Sequence, residues 1–327
     1  MIQLKSKTLV ASIFFGSVLL CSSNSQGQVT PKKIESNSGA MSSSDKKSIS
    51  EWQLKPLSLY QVPGKKFLFE VVGDFSAGNV KVSSALETNK VETFGSDIYG
   101  EYGFTDSIAV RVGLGYLSGK EKNSLITSKI DGVKDIAATL KYTLNLPFAI
   151  LFEAGVETAL ETLKSDSVTR AMTASSGGTK ILMKGGMEYS TAKMTFGGLA
   201  SYRHYLTREM DYTSAQGTQN TKVDGGHQAQ ILGFFEFGTG LRTGVELGWK
   251  YQTKSTIDLT TLTTTTNEFE LDSQFLSAGG YLKVPAGDKI LLYIKGDYTF
   301  NPNKKRGQYT YDQDEMFNAY VGLQSLF

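Results

Sequence analysis

The sequence predicts an all-β protein, a transmembrane up-and-down antiparallel β-barrel of about twelve strands that follows an N-terminal signal peptide. The first observation is that apolar and polar side chains alternate with a period of two from residue 65 onward. The second is that short and long connections between the predicted strands also alternate. The third is that the chain ends on an apolar strand whose last residue is Phe327. The 34 glycines and 6 prolines fit long strands around a crowded interior.

The composition excludes several functional classes. One cysteine and two histidines are too few for a disulfide framework, a zinc finger, an iron–sulfur site or a multi-histidine metal centre. The formal net charge of +2 gives no electrostatic reason to expect nucleic acid as a partner. We therefore expect neither a cofactor nor a metal, and no catalytic residue.

The first 64 residues precede the barrel. Lys5 and Lys7 stand before the apolar stretch 8–20 and small polar residues follow, which predicts a secretory signal peptide over 1–25. Cys21 is either removed with the signal or lipidated. Residues 26–64 are rich in Ser, Lys, Asn and Gln, and we predict a flexible periplasmic leader there. Docking of its apolar end, which includes Trp52, at the barrel mouth is the alternative.

Residues 65–327 carry the predicted barrel. In one segment, Ile108, Val110 and Val112 alternate with small or charged residues such as Arg111. The same pattern predicts strands at 66–77, 93–104, 107–118, 133–144, 148–161, 179–190, 193–206, 226–237, 241–254, 270–284, 289–300 and 314–327. Each is long enough for the roughly 9–11 residues that a tilted membrane strand needs.

The connections between these strands fall into two classes. Five are short turns, and the other six are long polar loops at 78–92, 119–132, 162–178, 207–225, 255–269 and 301–313. Short periplasmic turns and long external loops are typical of membrane barrels. Twelve strands leave too wide an interior for dry packing, and aromatic residues lie near the strand ends, so we expect the apolar faces to meet lipid. These aromatic residues are Phe104, Tyr116, Phe148, Tyr189, Tyr202, Phe237, Trp249 and Phe327.

The final segment, from Tyr320 to Phe327, resembles the C-terminal insertion signal of bacterial outer-membrane β-barrel proteins. Gly322 and Phe327 match that signal, whereas Ser325 stands where a second large apolar residue is usual. The resemblance implies location in the bacterial outer membrane. It also implies outer-membrane lipids and the barrel assembly machinery as partners.

The opposite strand faces carry charges of both signs, which we expect to point into the lumen and to be paired or hydrated. The candidate lumen and selectivity residues are Glu70, Asp74, Asp97, Glu101, Arg111, Lys141, Glu153, Lys184, Arg203, Arg242, Glu246, Lys250 and Lys295. Inward glycines such as Gly113, Gly244 and Gly322 are expected to leave space for a pore. The acidic residues of the first two strands would favour cations.

We predict a small porin-like channel for passive diffusion of ions or small solutes. A structural or adhesive barrel that presents its external loops is the alternative. A third possibility is a lipid hydrolase that uses His204 or His227 with Ser201 or Ser214. No His-x-Ser or Gly-x-Ser-x-Gly arrangement surrounds either histidine, which argues against catalysis.

Overall fold

A computed structural model describes most of the chain from residue 51 onward. The described residues are 51–82, 88–122, 127–146, 148–166, 168–191, 193–215, 217–253, 255–257, 267–270, 273–300, 305–306 and 309–327. The predicted signal peptide and residues 26–50 lie outside them. Within the described residues, no helix is long and apolar enough to cross a membrane.

Twenty strands are present among the described residues, in a single hydrogen-bonded network. In chain order they are β1 (Phe67–Val82), β2 (Thr88–Gly103), β3 (Ile108–Lys122), β4 (Thr127–Val133), β5 (Ile136–Asn145), β6 (Ala149–Thr158), β7 (Leu163–Asp166), β8 (Ala171–Thr173), β9 (Thr179–Ser190), β10 (Met194–Tyr205), β11 (Arg208–Ser214), β12 (Gly217–Asp224), β13 (His227–Phe237), β14 (Arg242–Gln252), β15 (Ser255–Ile257), β16 (Asn267–Glu270), β17 (Ser273–Pro285), β18 (Ile290–Phe300), β19 (Lys305–Arg306) and β20 (Tyr309–Leu326).

Twelve of these strands form a closed antiparallel barrel. They are β1, β2, β3, β5, β6, β9, β10, β13, β14, β17, β18 and β20, each paired with the next. The last strand pairs with the first, and the backbone nitrogens of Phe67 and Phe327 donate to each other's carbonyls at 3.1 and 2.8 Å. The predicted strand count and up-and-down topology are confirmed.

The two faces of the barrel have opposite polarity. Large apolar side chains point outward and are exposed, for example Leu247 (69%), Phe94 (63%) and Ile294 (58%). Charged side chains point inward and are buried, and both Glu236 and Lys283 have no exposed surface. This inverted arrangement is the one that a lipid environment requires, and it confirms the predicted orientation of the faces.

The predicted long loops differ from expectation, because they contain paired strands. The barrel strands extend past the membrane region, and β4, β7, β8, β11, β12 and β15 form a small sheet beyond it, with parallel pairings between β4 and β8 and between β7 and β11. This sheet has an apolar cluster of its own that includes Ile130, Met210 and Val223. Burial of that cluster stabilises strands that a polar loop could not maintain.

The segment 51–64 lies inside the barrel at the end where the short turns are. It forms two short 3-10 turns, Glu51–Leu54 and Leu57–Leu59. Buried against the inner wall are the side chains of Trp52, Leu57, Leu59, Tyr60 and Val62. A flexible leader is therefore wrong for residues 51–64, and the docking alternative describes them. We call this segment the plug.

Inward glycines do not leave the space expected of them. The ring of Tyr99 covers Gly113, the ring of Tyr281 covers Gly244 and the ring of Tyr293 covers Gly322. A β-carbon at any of these glycines would collide with the covering ring. The glycines thus mark places where an aromatic side chain of the neighbouring strand lies flat on the barrel wall.

Candidate channel lumen

The plug is anchored to the barrel by polar contacts with the short turns. Trp52 Nε1 donates to the carbonyl oxygen of Asp288 at 3.0 Å. Gln53 Nε2 donates to the carbonyl oxygens of Gly287 and Ile290 at 2.6 and 2.9 Å. Further along, the backbone nitrogen of Gly64 donates to Asp106 Oδ1 at 2.9 Å. The plug is thus attached to two turns on the same rim.

Two lumen lysines donate to main-chain oxygens of the plug. Lys141 Nζ donates to the carbonyl oxygen of Tyr60 at 2.9 Å, and Lys283 Nζ donates to the carbonyl oxygen of Lys55. In return, the backbone nitrogen of Val62 donates to Glu101 Oε1 at 2.8 Å. The plug therefore takes part in the charge network of the lumen, and its backbone polar groups replace water there.

Three buried glutamates organise the lumen beside the plug. Glu70 accepts from Arg111 at 2.6 Å and from Tyr293 Oη and Gln324 Nε2, both at 2.9 Å. Glu101 pairs with Lys141 at 2.7 Å and with Arg111 at 3.7 Å. The third is Glu236, described next. Each carboxylate faces at least two donors, as a buried charge requires.

Glu236, like Glu101, faces two cationic side chains. Its carboxylate contacts Arg242 and lies 2.9 Å from Lys283 Nζ. Tyr281 Oη donates to it at 2.7 Å. All these side chains lie next to the short turns, so ion pairs and the plug together fill this end of the lumen.

The acidic wall predicted on β1 and β2 is paired with bases. Lys134 Nζ lies 3.2 Å from Asp74 Oδ1 and 3.0 Å from Asp97 Oδ1. Together with Arg111 and Lys141, it offsets three of the four negative charges of the wall formed by Asp74, Asp97, Glu70 and Glu101. Lys134 was not among the predicted lumen residues, and it lies at the break between β4 and β5, where strict alternation is interrupted.

Beyond the plug, the lumen contains a cavity of about 110 Å³. Residues of β5, β6, β9, β10, β13, β14, β17, β18 and β20 line it. Leu199 lines the cavity and also packs against the cluster around Leu59, so the plug lies directly beneath it. Two ion pairs cross its wall, Lys184 with Glu153 at 2.7 Å and Lys295 with Glu246 at 2.5 Å.

The predicted lumen residues thus fall into three groups. Beside the plug lie Glu70, Glu101, Arg111, Lys141 and Arg242, and around the cavity lie Glu153, Lys184, Arg203, Glu246, Lys250 and Lys295. Asp74 and Asp97 lie on the wall held by Lys134. Sequence analysis missed the uncharged polar residues of the cavity, such as Thr139 and Gln228, because single amides and hydroxyls carry no distinctive pattern.

The two histidines lie together on the outer face of the barrel, where β10 and β13 approach the external loops. Their rings stack with centroids 4.7 Å apart, and Tyr202 Oη lies 2.5 Å from His227 Nδ1. Ser201, the neighbour of Tyr202, lines the cavity on the opposite face of β10. The side chain of Ser214 lies outside the described residues. Within the described residues, no group of three His, Cys, Asp or Glu side chains is arranged to hold a metal.

The closed twelve-strand barrel, with lipid-facing apolar side chains and a charged lumen, defines a bacterial outer-membrane β-barrel protein. No family model matches the chain. No curated protein matches it either.

Several solved structures resemble the chain at low sequence identity. An outer membrane channel from Pseudomonas putida F1 matches with a TM-score of 0.60 and 13% identity, over 82% of this chain and 97% of that one. The β-domain of the Bordetella autotransporter BrkA matches with a TM-score of 0.47 and 10% identity, over 79% and 99%. The Pseudomonas putida toluene transporter TodX matches with a TM-score of 0.41 and 10% identity, over 81% and 90%. At these identities the first match supports the fold alone.

Proposed function

We propose that the protein is a non-enzymatic channel for passive diffusion of small solutes, closed at its short-turn end by the plug. The proposal rests on the cavity of about 110 Å³ inside the barrel, which charged and polar side chains line. Paired charges around such a cavity can replace the hydration of a passing solute. Solutes would cross when the plug leaves its seat.

The placement of the histidines supports a channel over a hydrolase. A serine nucleophile must lie within hydrogen-bond reach of its base. His204 points outward from β10, whereas Ser201 lines the lumen on the opposite face. The Ser201–His204 pairing considered from the sequence would therefore separate nucleophile and base across the barrel wall.

Planar-bilayer conductance of the refolded chain tests the channel. We expect rare discrete steps for the wild type. The double variant W52A/Q53A should open more often, because it lacks three side-chain hydrogen bonds to the short-turn rim. Gln219→Ala, on the exposed strand β12, is the matched control and should behave as the wild type does. Absence of steps in all three proteins over a range of voltages would reject the channel.

A second candidate function is the presentation of a binding surface by the external loops. The observation that favours it is the small sheet beyond the membrane, with the apolar cluster around Ile130, Met210 and Val223. Such a sheet holds its outer residues in fixed positions. If the protein binds cells or ligands through this sheet and shows no conductance in planar bilayers, that result would support this candidate.

A further inference from the structure

We infer that the cavity above the plug binds small organic anions that carry an apolar body. The inference rests on the proposed channel function, because it names the class of solute that would occupy the lumen. It follows from three properties of the cavity wall: its charge, two polar atoms without a hydrogen-bond partner among the described residues, and an apolar side.

The charge of the wall favours an anion. Four cationic side chains line the cavity against three acidic ones, and they are Lys184, Arg203, Lys250 and Lys295 against Glu153, Glu246 and Asp297. The acidic residue Asp297 also accepts a hydrogen bond from Asn318 Nδ2 at 2.7 Å. A solute with one negative charge would balance this wall.

Two buried polar atoms of the wall have no hydrogen-bond partner within the described part of the chain. They are Gln228 Nε2 and Thr139 Oγ1, and both side chains are 6% exposed. Arg203 Nη1 donates to Gln228 Oε1 at 3.5 Å, which leaves the amide NH₂ group as the end without an acceptor. A buried donor without an acceptor costs free energy, which a ligand carboxylate would recover.

Part of the remaining wall is apolar. Leu182, Leu199, Leu232 and the ring of Phe275 line it, and Lys250 Nζ lies 5.0 Å from the centroid of that ring. An apolar group can therefore pack on the leucines while an attached carboxylate faces Gln228 and the cations. The cavity of about 110 Å³ is partly open rather than enclosed, so a short-chain or single-ring acid can place its charged end inside and extend beyond it.

Calorimetric titration of the full-length refolded protein in detergent at low salt tests the inference. The probe is benzoate, compared with benzylamine, which has the same ring and the opposite charge, and with inorganic phosphate, which has no apolar body. We expect saturable binding of one benzoate per chain. Benzylamine and phosphate should bind at least tenfold more weakly, because each lacks one of the two features.

Two substitutions place the binding in the cavity. Gln228→Leu and Lys250→Met should each weaken benzoate binding about tenfold, the effect of one charge-assisted hydrogen bond. Gln219→Leu and Lys222→Met make the same chemical changes at exposed positions of β12 and should leave the affinity unchanged. Faster migration of unboiled samples on SDS gels shows that each variant has folded, and Gln228→Leu suffices if Lys250→Met does not fold.

Three outcomes would overturn the inference: no saturable benzoate binding, benzylamine or phosphate binding as tight as benzoate binding, or cavity variants with unchanged affinity. The experiment does not depend on conduction. Benzoate binding without conductance would leave the anion site standing and reject the channel. Conductance without benzoate binding would support the channel and reject the anion site.

Discussion

Glu236 illustrates how single residues hold this lumen together. The side chain is fully buried and faces Arg242, Lys283 and Tyr281. Removing one member of a buried charge group leaves the others uncompensated, which costs far more than losing an exposed pair. Alternation predicted Arg242 as a lumen residue, and the structure places it diagonally from Glu236, which pairs with Gly244 in the register of β13 and β14. Alternation did not predict that Lys283 and Tyr281 both contact Glu236, because these contacts join β13 to β17 across the intervening strand β14.

We expect Glu236→Gln to lower the free energy of unfolding by about 3 kcal/mol, because Lys283 and Arg242 lose their common counter-charge. Urea unfolding of the refolded protein in detergent measures the change. Glu92→Gln is the control, because Glu92 forms a 3.0 Å ion pair with Lys120 in which both side chains are about half exposed. It should cost less than about 1 kcal/mol. Equal costs for the two variants would contradict the buried network.

A glycine pair tests the role of the inward tyrosines. Gly244→Ala should lower the free energy of unfolding by about 1–3 kcal/mol, because the new methyl group collides with the ring of Tyr281. Gly233→Ala adds the same methyl group where nothing lies within 4 Å, and should be neutral. The same urea titration compares them. A neutral Gly244→Ala would show that this ring does not rest on the strand.

At the scale of elements, the twelve barrel strands were predictable and the plug and external sheet were not. Alternation recovered β9 at 179–190 with both ends correct and β13 with one residue of error. The plug has no periodicity, so its polar composition indicated a leader. Its burial depends on lysines and turns more than 40 residues away, such as Lys141. The external strands are short and mostly polar, so the sequence did not predict them, and only their pairing in the structure identifies them as strands.

Tryptophan fluorescence tests whether the plug occupies the lumen. The chain has two tryptophans, and Trp249→Phe leaves Trp52, which is 4% exposed, as the single probe. We expect its emission to be blue-shifted relative to the urea-unfolded protein and to resist quenching by acrylamide. Adding Gln53→Ala should increase the quenching, because two hydrogen bonds to the rim are lost. Full quenching of Trp52 in the folded single variant would refute the docked plug.

The whole molecule depends on the seam between its first and last strands. Phe67 and Phe327 form a reciprocally hydrogen-bonded pair, so the neighbouring pair, Leu68 and Leu326, lies at a position without direct hydrogen bonds. At such positions the α-carbons are about 4.5 Å apart, which is within the range of a disulfide. The repeated alternation of the sequence predicted closure in general, whereas the register of the seam follows only from the structure.

A disulfide across the seam tests closure. In a Cys21→Ser background, L68C/L326C should oxidise readily, and the boiled, non-reduced protein should migrate differently from the reduced one because the chain is circular. The pair L68C/L151C places the second cysteine on β6, away from the seam, and should not cross-link. Failure of the seam pair to oxidise in folded protein would contradict the β1–β20 register.

The plug is covalently joined to β1, so any free molecule that binds at the same place in the lumen competes with a tethered segment. Residue 64 leads almost directly into the first strand, so a released plug remains close to its seat. Short tethers of this kind give effective concentrations in the millimolar range. A free molecule that competes for the same seat would need a comparable concentration or a much tighter intrinsic affinity. Openings would therefore be brief unless something holds the released segment outside the barrel.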